Sequence, residues 1–357
     1  MNGTIENRYF PLDVIRLFAC FAVIIVHVAA VDVSQGGFSR LGLIDWLSVL
    51  GLGSLGRSAV PLFIMISGAL LLHHTRQHYG LYLLRKSAWI LTVYLGAALG
   101  YIAISLSIED GLFNEKRLLP DLLSGNGVPY FHLYFLLIIL GLYLMTPLLS
   151  AIKTLSTQTI TIGVAALALI TNIDLLFREF QHTTIGMLGI YGKFIAYLPY
   201  FILGYLLVHR WQGSLKHNGW LAFTSLIAIW SIAALLSWQQ SKWAGNVVFY
   251  YENILVMALS IGLFGFLYNA GEIIESRLSV KQKTWVTSLA KQTLWVYIIH
   301  IFILRSLQSI ALFSPLQNWG SAALKVLVLS SITLIISVAI SYIMQTTLQL
   351  LRRIIPK

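Results

Sequence analysis

The chain has 357 residues, 58% of them hydrophobic and only 10% charged, with a mean hydropathy of +0.80. Soluble domains carry about 25% charged residues, so a water-soluble globule is excluded. Disordered, collagen-like and disulfide-scaffold chains are excluded too, because charge is sparse, glycine shows no repeat and Cys20 is the single cysteine. The net charge of +11, from 24 Lys+Arg against 13 Asp+Glu, comes without a basic tail or a nucleic-acid-binding pattern. It reads as positive charge held in the cytoplasmic loops of a polytopic membrane protein.

About 20 apolar residues cross the hydrocarbon of a bilayer. With that window the sequence predicts an all-α bundle of ten spans, at residues 12–31, 58–72, 88–107, 130–150, 160–177, 191–208, 219–238, 247–268, 292–313 and 323–348. Ten helices consume roughly 200 residues, and the loops left over are too short for a soluble domain, so residues 1–357 form one membrane domain. The first span contains Asp13 and Arg16 and lacks a small-residue cleavage site, which marks it as retained. The second is short, with Gly51, Gly53 and Gly56 just upstream, and its outer half is expected to be irregular and to line a cavity. An even number of spans puts both ends on one side. Basic residues, Arg8, Arg76, Arg85, Lys86, Arg352 and Arg353 among them, are denser on that side, which makes it the cytoplasm. No internal repeat is visible, which counts against an inverted-repeat transporter.

Ionisable groups inside a span are costly and therefore mark candidate sites. The first span holds Asp13, Arg16 and His27. Arg16 and His27 are eleven residues apart, about three helical turns, so they share a face at about 16 Å along the axis. Asp13 lies one turn before Arg16 and is placed to pair with it. A boundary ion pair and a helix-bridging histidine would explain these residues structurally. The functional alternative makes Arg16 a fork for phosphate or carboxylate and His27 a general base or acyl carrier.

The run Leu12-Asp13-Val14-Ile15-Arg16, followed ten residues later by His27, resembles the first-helix signature of the membrane acyltransferase 3 family. Three more stretches fit that resemblance. They are Pro61-Leu62-Phe63-Ile64-Met65-Ile66-Ser67-Gly68, then Phe131-His132-Leu133-Tyr134-Phe135-Leu136 with Tyr134 in place of the family's Trp, and finally Tyr297-Ile298-Ile299-His300. The resemblance implies a multi-span enzyme that moves an acyl group from cytoplasmic acyl-CoA, most simply acetyl-CoA, onto a glycan. Within the family the chain is most similar to the short, membrane-only branch that includes the O-acetyltransferase of enterobacterial common antigen, a bacterial inner-membrane setting. One departure is that Arg85-Lys86 stands where many members carry two arginines three residues apart; a CoA phosphate accepts either side chain.

The remaining candidates follow from position. His132, after Pro129-Tyr130, lies at the outer end of the fourth span, at the depth of His27 if spans one and four are neighbours. His300 lies eight residues into span nine, with Arg305 five residues on, and Glu252 lies near the outer end of span eight. His73, His74 and His78 crowd the loop after span two without a carboxylate or cysteine, which is a poor metal set. Ser67, in Ile-Ser-Gly within an apolar helix, reads as a packing residue and not as a nucleophile. Outer aromatics such as Tyr130, Tyr134, Trp243, Tyr250 and Tyr251 suit either an interfacial belt or a sugar face.

The expected site therefore has His27 and Asp13 as catalytic residues and Arg16, Arg85 and Lys86 on the acyl-CoA. His132, Tyr134, Glu252 and His300 would contact a lipid-linked or polymeric glycan, with no metal and no nucleic acid. The rival is a glycan or lipid exporter with Asp13, Arg16 and Glu252 as a proton relay. A non-catalytic scaffold would leave Arg16 and His27 unexplained.

Overall fold

A bilayer offers no water to backbone polar groups, so a chain this apolar satisfies them within helices. The structure, a computed structural model, describes residues 9–34, 41–73, 79–108, 131–181, 192–211, 218–238, 250–309 and 320–354, and every regular element among them is helical. In chain order the α-helices longer than one turn are α1 (Phe10–Ser34), α2 (Leu43–Gly56), α3 (Ala59–Leu71), α4 (Tyr79–Ile108), α5 (Tyr134–Leu149) and α6 (Thr157–Phe180). They are followed by α7 (Leu198–His209), α8 (Asn218–Trp238), α9 (Ile254–Arg277), α10 (Val280–Ser309) and α11 (Ala322–Ile354). A 3-10 turn at Phe131–Leu133 leads into α5. Pro11, Pro61 and Pro199 each fall in a first turn, where the missing N–H would have no partner anyway, whereas Pro147 lies inside α5 near its end.

Among the described residues eight stretches are long and apolar enough to cross a membrane, so the protein is a multi-pass membrane protein. The sixth and seventh expected spans correspond to shorter apolar helices, Leu198–His209 and Gly219–Ile232. Several boundaries differ from expectation, two of the starts by more than ten residues. The second span runs over Leu43–Leu71, and its outer half is not irregular but a regular helix, α2, separated from α3 by a break at Arg57 and Ser58. The ninth starts at Val280, twelve residues early, because its first turns carry Lys281, Lys283 and Lys291 and escape an apolar window while remaining helical.

α1 is the hub, packed against α2, α3, α9, α10 and α11. Its described side chains include no exposed large hydrophobic, whereas α4, α6, α8 and α11 turn Leu99, Leu169, Trp220 and Ile343 outward, as lipid-facing helices do. The tightest contact is between α3 and α7. A Cβ on Gly68 would overlap the Phe201 carbonyl, and one on Gly204 would overlap the Met65 carbonyl, so two backbones touch through reciprocal glycines. Gly68 thus packs as the Ile-Ser-Gly string predicts, and the Ser67 hydroxyl donates to the Phe63 carbonyl at 3.0 Å.

α1 and α10 run in the same direction. Asp13 meets Thr287 at one end and His27 meets His300 at the other, fourteen residues further on α1 and thirteen on α10. The end that carries Tyr9 also carries His73 and His209, whose rings stack at 4.0 Å and 5°.

Candidate active site

The Tyr9 end of α1 holds a fixed cation. Asp13 is fully buried; its Oδ1 accepts from Arg16 Nη1 at 2.6 Å, and its Oδ2 accepts from the Thr287 hydroxyl of α10 at 3.1 Å. The carboxylate is held from two helices and in turn sets the direction of the guanidinium. Arg16 keeps 22% of its side chain accessible while Ile15 and Ala19 beside it are buried. Tyr143 of α5 lies within electrostatic reach of Arg16 and of Tyr82, and its hydroxyl is hydrogen-bonded to Ser67. Lys86 Nζ stands 5.6 Å from the Tyr82 ring centre. Arg16 and Lys86 therefore bracket a pair of tyrosines, and Arg85 and Lys86 are both exposed on α4.

About 21 Å along α1, by fourteen residues at 1.5 Å each, is a cluster of imidazoles. His27 of α1 faces His300 of α10 with ring centres 5.3 Å apart, and His132 meets the same His300 ring at 5.3 Å. His300 is thus the centre of the three, and the meeting of His132 with His27 that the sequence placed at a contact of spans one and four is made through α10. The backbone sets the tautomers. His300 Nδ1 lies 2.6 Å from the Tyr297 carbonyl, which only accepts, so Nδ1 carries the proton and Nε2 the lone pair. That Nε2 is buried and has no hydrogen-bond partner among the described residues. His132 Nε2 lies 3.2 Å from the Ile298 carbonyl and by the same logic is protonated.

Two tyrosines lock the cluster. Tyr101 of α4 donates to the Ile298 carbonyl at 2.8 Å, so that one carbonyl of α10 receives both α4 and the turn before α5. The Tyr297 hydroxyl donates to the His132 carbonyl. Positions 297, 298 and 300 of α10 thereby hold the ring of one histidine and the backbone and ring of another.

Beyond the imidazoles lies a wall of tyrosines. Tyr134 is hydrogen-bonded to Tyr197, whose ring centre is 6.0 Å from that of Tyr251, and the Tyr200 hydroxyl donates to the Tyr251 carbonyl at 2.5 Å. Next along the chain, Glu252 Oε1 accepts from Arg178 Nη2 at 2.9 Å, and Arg178 also pairs with Asp174 at 3.3 Å. Asn172 bridges from α6 as well, donating to the Glu252 carbonyl and accepting from Ile254 N–H. The Glu252 carboxylate is therefore committed to an ion pair that ties α6 to the start of α9.

The structure brings together His27, His132 and His300, with Tyr134 two residues after His132 at the start of α5. It gathers Arg16 and Lys86 at the other end. Asp13 is not brought to His27: it serves Arg16, well out of reach of an imidazole proton. A relay of Asp13, Arg16 and Glu252 is not contiguous either, since each carboxylate is paired with its own arginine at opposite ends of the bundle. His73 is exposed and stacks on His209, while His74, His78, Tyr130 and Trp243 lie outside the described residues. Among the described residues no group of three or more His, Cys, Asp or Glu is arranged to hold a metal ion. Sequence reasoning missed Tyr101, Thr287 and His209, whose roles come from cross-helix contacts that leave no local pattern. It also passed over Arg57, although a charge ending the Gly-rich stretch of a span was a readable signal.

A family model described as an acyltransferase domain, that of acyltransferase 3, matches residues 11–344. No curated protein and no solved structure matches the chain. With nearly its whole length covered, the chain belongs to the acyltransferase 3 family and is a membrane acyltransferase.

Proposed function

We propose that this member of the family is an O-acyltransferase that takes an acetyl group from acetyl-CoA on the cytoplasmic side of a bacterial inner membrane and passes it to a hydroxyl of a lipid-linked or cell-surface glycan. Both termini then lie in the cytoplasm, in keeping with the distribution of basic residues. The observation that carries the reading is the separation of two kinds of chemistry along one buried helix. A guanidinium, Arg16 held by Asp13, stands at one end of α1 and an imidazole pair, His27 and His300, at the other.

The distance suits a long donor. Phosphates of CoA would meet Arg16, Arg85 and Lys86, charge-assisted contacts that are among the strongest in proteins. The pantetheine arm would cover the roughly 16 Å from Arg16 to His27 and bring the thioester to the imidazoles. His27 would remove the proton of the acceptor hydroxyl, the general-base role that histidine fills most often. His132 and His300 would orient the acceptor, with Tyr134 and the tyrosines behind it offering flat faces to a sugar ring. Glu252 would serve that site through Arg178 and not by direct contact.

The test is transfer of radiolabel from acetyl-CoA to glycan by purified protein, with His27→Ala alongside the wild type. Undiminished transfer by the variant removes His27 from the mechanism, and absence of any CoA-dependent transfer by the wild type removes the reading.

A further inference from the structure

The break between α2 and α3 lies at the depth of the histidines. A Cβ on Gly53 would stand 3.5 Å from Ala29 Cβ, and one on Gly56 would stand 2.8 Å from Val26 Cβ and 2.9 Å from the Ala22 carbonyl. The break therefore rests on the turn of α1 that carries His27. Interrupted helices inside a membrane protein occur where they are buried or line an aqueous space. This interruption is fixed: the Ser58 hydroxyl donates to the Leu55 carbonyl at 2.8 Å, and Arg57 N–H bonds back to Ser54 at 3.3 Å.

Arg57 is the side chain that the break delivers. It is only partly buried, although Gly56 before it and Ser58, Ala59 and Val60 after it are buried, and it lies within electrostatic reach of His27. A guanidinium stays charged at any pH in a protein and presents five donors in a rigid plane. Set beside the His27 turn, such a plane of donors is placed to meet negative charge that develops there during turnover. Arg305 is another cation of this region, but it lies on the exposed face of α10 with Phe302 and Ser306 and reaches His132.

We propose that Arg57 is the oxyanion-stabilising residue of acyl transfer, its guanidinium donating to the acyl oxygen as that atom becomes an alkoxide next to His27. This rests on the acyltransferase reading above. The acceptor hydroxyl oxygen forms a bond to the thioester carbon while its proton passes to the imidazole of His27. The carbonyl π pair moves onto oxygen, where Arg57 holds it. Collapse restores the C=O bond and breaks the C–S bond, and the departing thiolate takes the proton back from the imidazolium to leave as a thiol. A donor aimed at charge that appears only in the transition state acts on kcat and leaves ground-state binding nearly untouched.

The experiment follows thiol release from acetyl-CoA by the full-length protein in nanodiscs, with an organic-solvent extract of lipid-linked oligosaccharides as acceptor. The single cysteine, Cys20, is buried and adds little background. Arg57→Gln is expected to lower kcat by about 10²–10³-fold with the KM for acetyl-CoA within threefold of wild type, and Arg57→Lys to recover at least a tenth of the lost rate. Equal rates for the Gln and Lys variants, a Gln variant within threefold of wild type, or a raised KM with kcat kept would each overturn the assignment. If Arg57→Gln does not fold by thermal melting, Arg57→Lys decides by itself: a lowered kcat at constant KM supports the role, and a raised KM at constant kcat overturns it. An inactive wild-type protein instead counts against the acyltransfer reading, which separates the two failures.

Discussion

His300 of α10 stands between His27 and His132, its ring centre 5.3 Å from each. The middle ring is the one whose orientation is set by its own helix, through the Tyr297 carbonyl, and whose Nε2 is left with a lone pair. A neutral imidazole in that state accepts a hydrogen bond and cannot donate one from that atom.

His27→Ala should lower glycan acylation by about 10²–10⁴-fold, the usual contribution of a positioned proton acceptor. His300→Asn, which retains a polar group, should fall less and should raise the KM for the glycan more than that for acetyl-CoA. Separate titrations of the two substrates check this; an equal rise in both KM values would count against an acceptor-side role for His300.

At the other end of α1, Asp13→Asn should act through Arg16. Losing one partner of a buried charge pair leaves the guanidinium misdirected, so the expected effect is weaker binding of CoA with a smaller loss in kcat. Arg16→Ala should give the same pattern, larger. Binding of CoA by isothermal titration, compared with turnover at saturating donor, distinguishes this from a direct role of Asp13 in proton transfer, which would reduce kcat alone.

The reciprocal glycines make a prediction about stability without reference to chemistry. Gly68→Ala and Gly204→Ala each push a methyl into a facing carbonyl, and overpacking of this kind costs about 1–3 kcal/mol. Both variants should melt at lower temperature in detergent, whereas Gly163→Ala, which meets nothing within 4 Å, should not.

Arg178 and Glu252 retain 13% and 10% of their side-chain exposure. Removing either alone should cost about 3 kcal/mol, at the lower end for a buried pair because some solvent remains. The triple variant Arg178→Met, Glu252→Gln and Asp174→Asn, which also neutralises the second carboxylate paired with Arg178, should regain most of that stability. If it also keeps glycan acylation, the pair is a clamp between α6 and α9; loss of acylation with stability regained would assign Glu252 to the acceptor.

The reading from sequence was strongest where cost is local. An aspartate, an arginine and a histidine in one apolar stretch are conspicuous wherever they finally point, and the Asp13–Arg16 pair follows from a spacing of three on a helix. Depth along α1 was equally legible, because rise per residue is a constant. What lay beyond reach were contacts between distant segments. Nothing near Tyr101 announces that its hydroxyl lands on Ile298, and nothing near Thr287 announces Asp13. Glu252 was read for its place at the end of a span, but its partner, Arg178, comes from another helix. The helical character of α2 was missed for a different reason: glycines that in water would argue against a helix are used here to let it lie directly on α1.

The shared direction of α1 and α10 has one further consequence. Two co-directional rods fastened at Asp13 and Thr287 behave like a vernier, in which the upper graduations align only while the lengths below them agree. Inserting a single residue into α1 between positions 16 and 27 would lift the His27 ring by about 1.5 Å and rotate it by about 100°, away from His300, although every side chain named here would still be present.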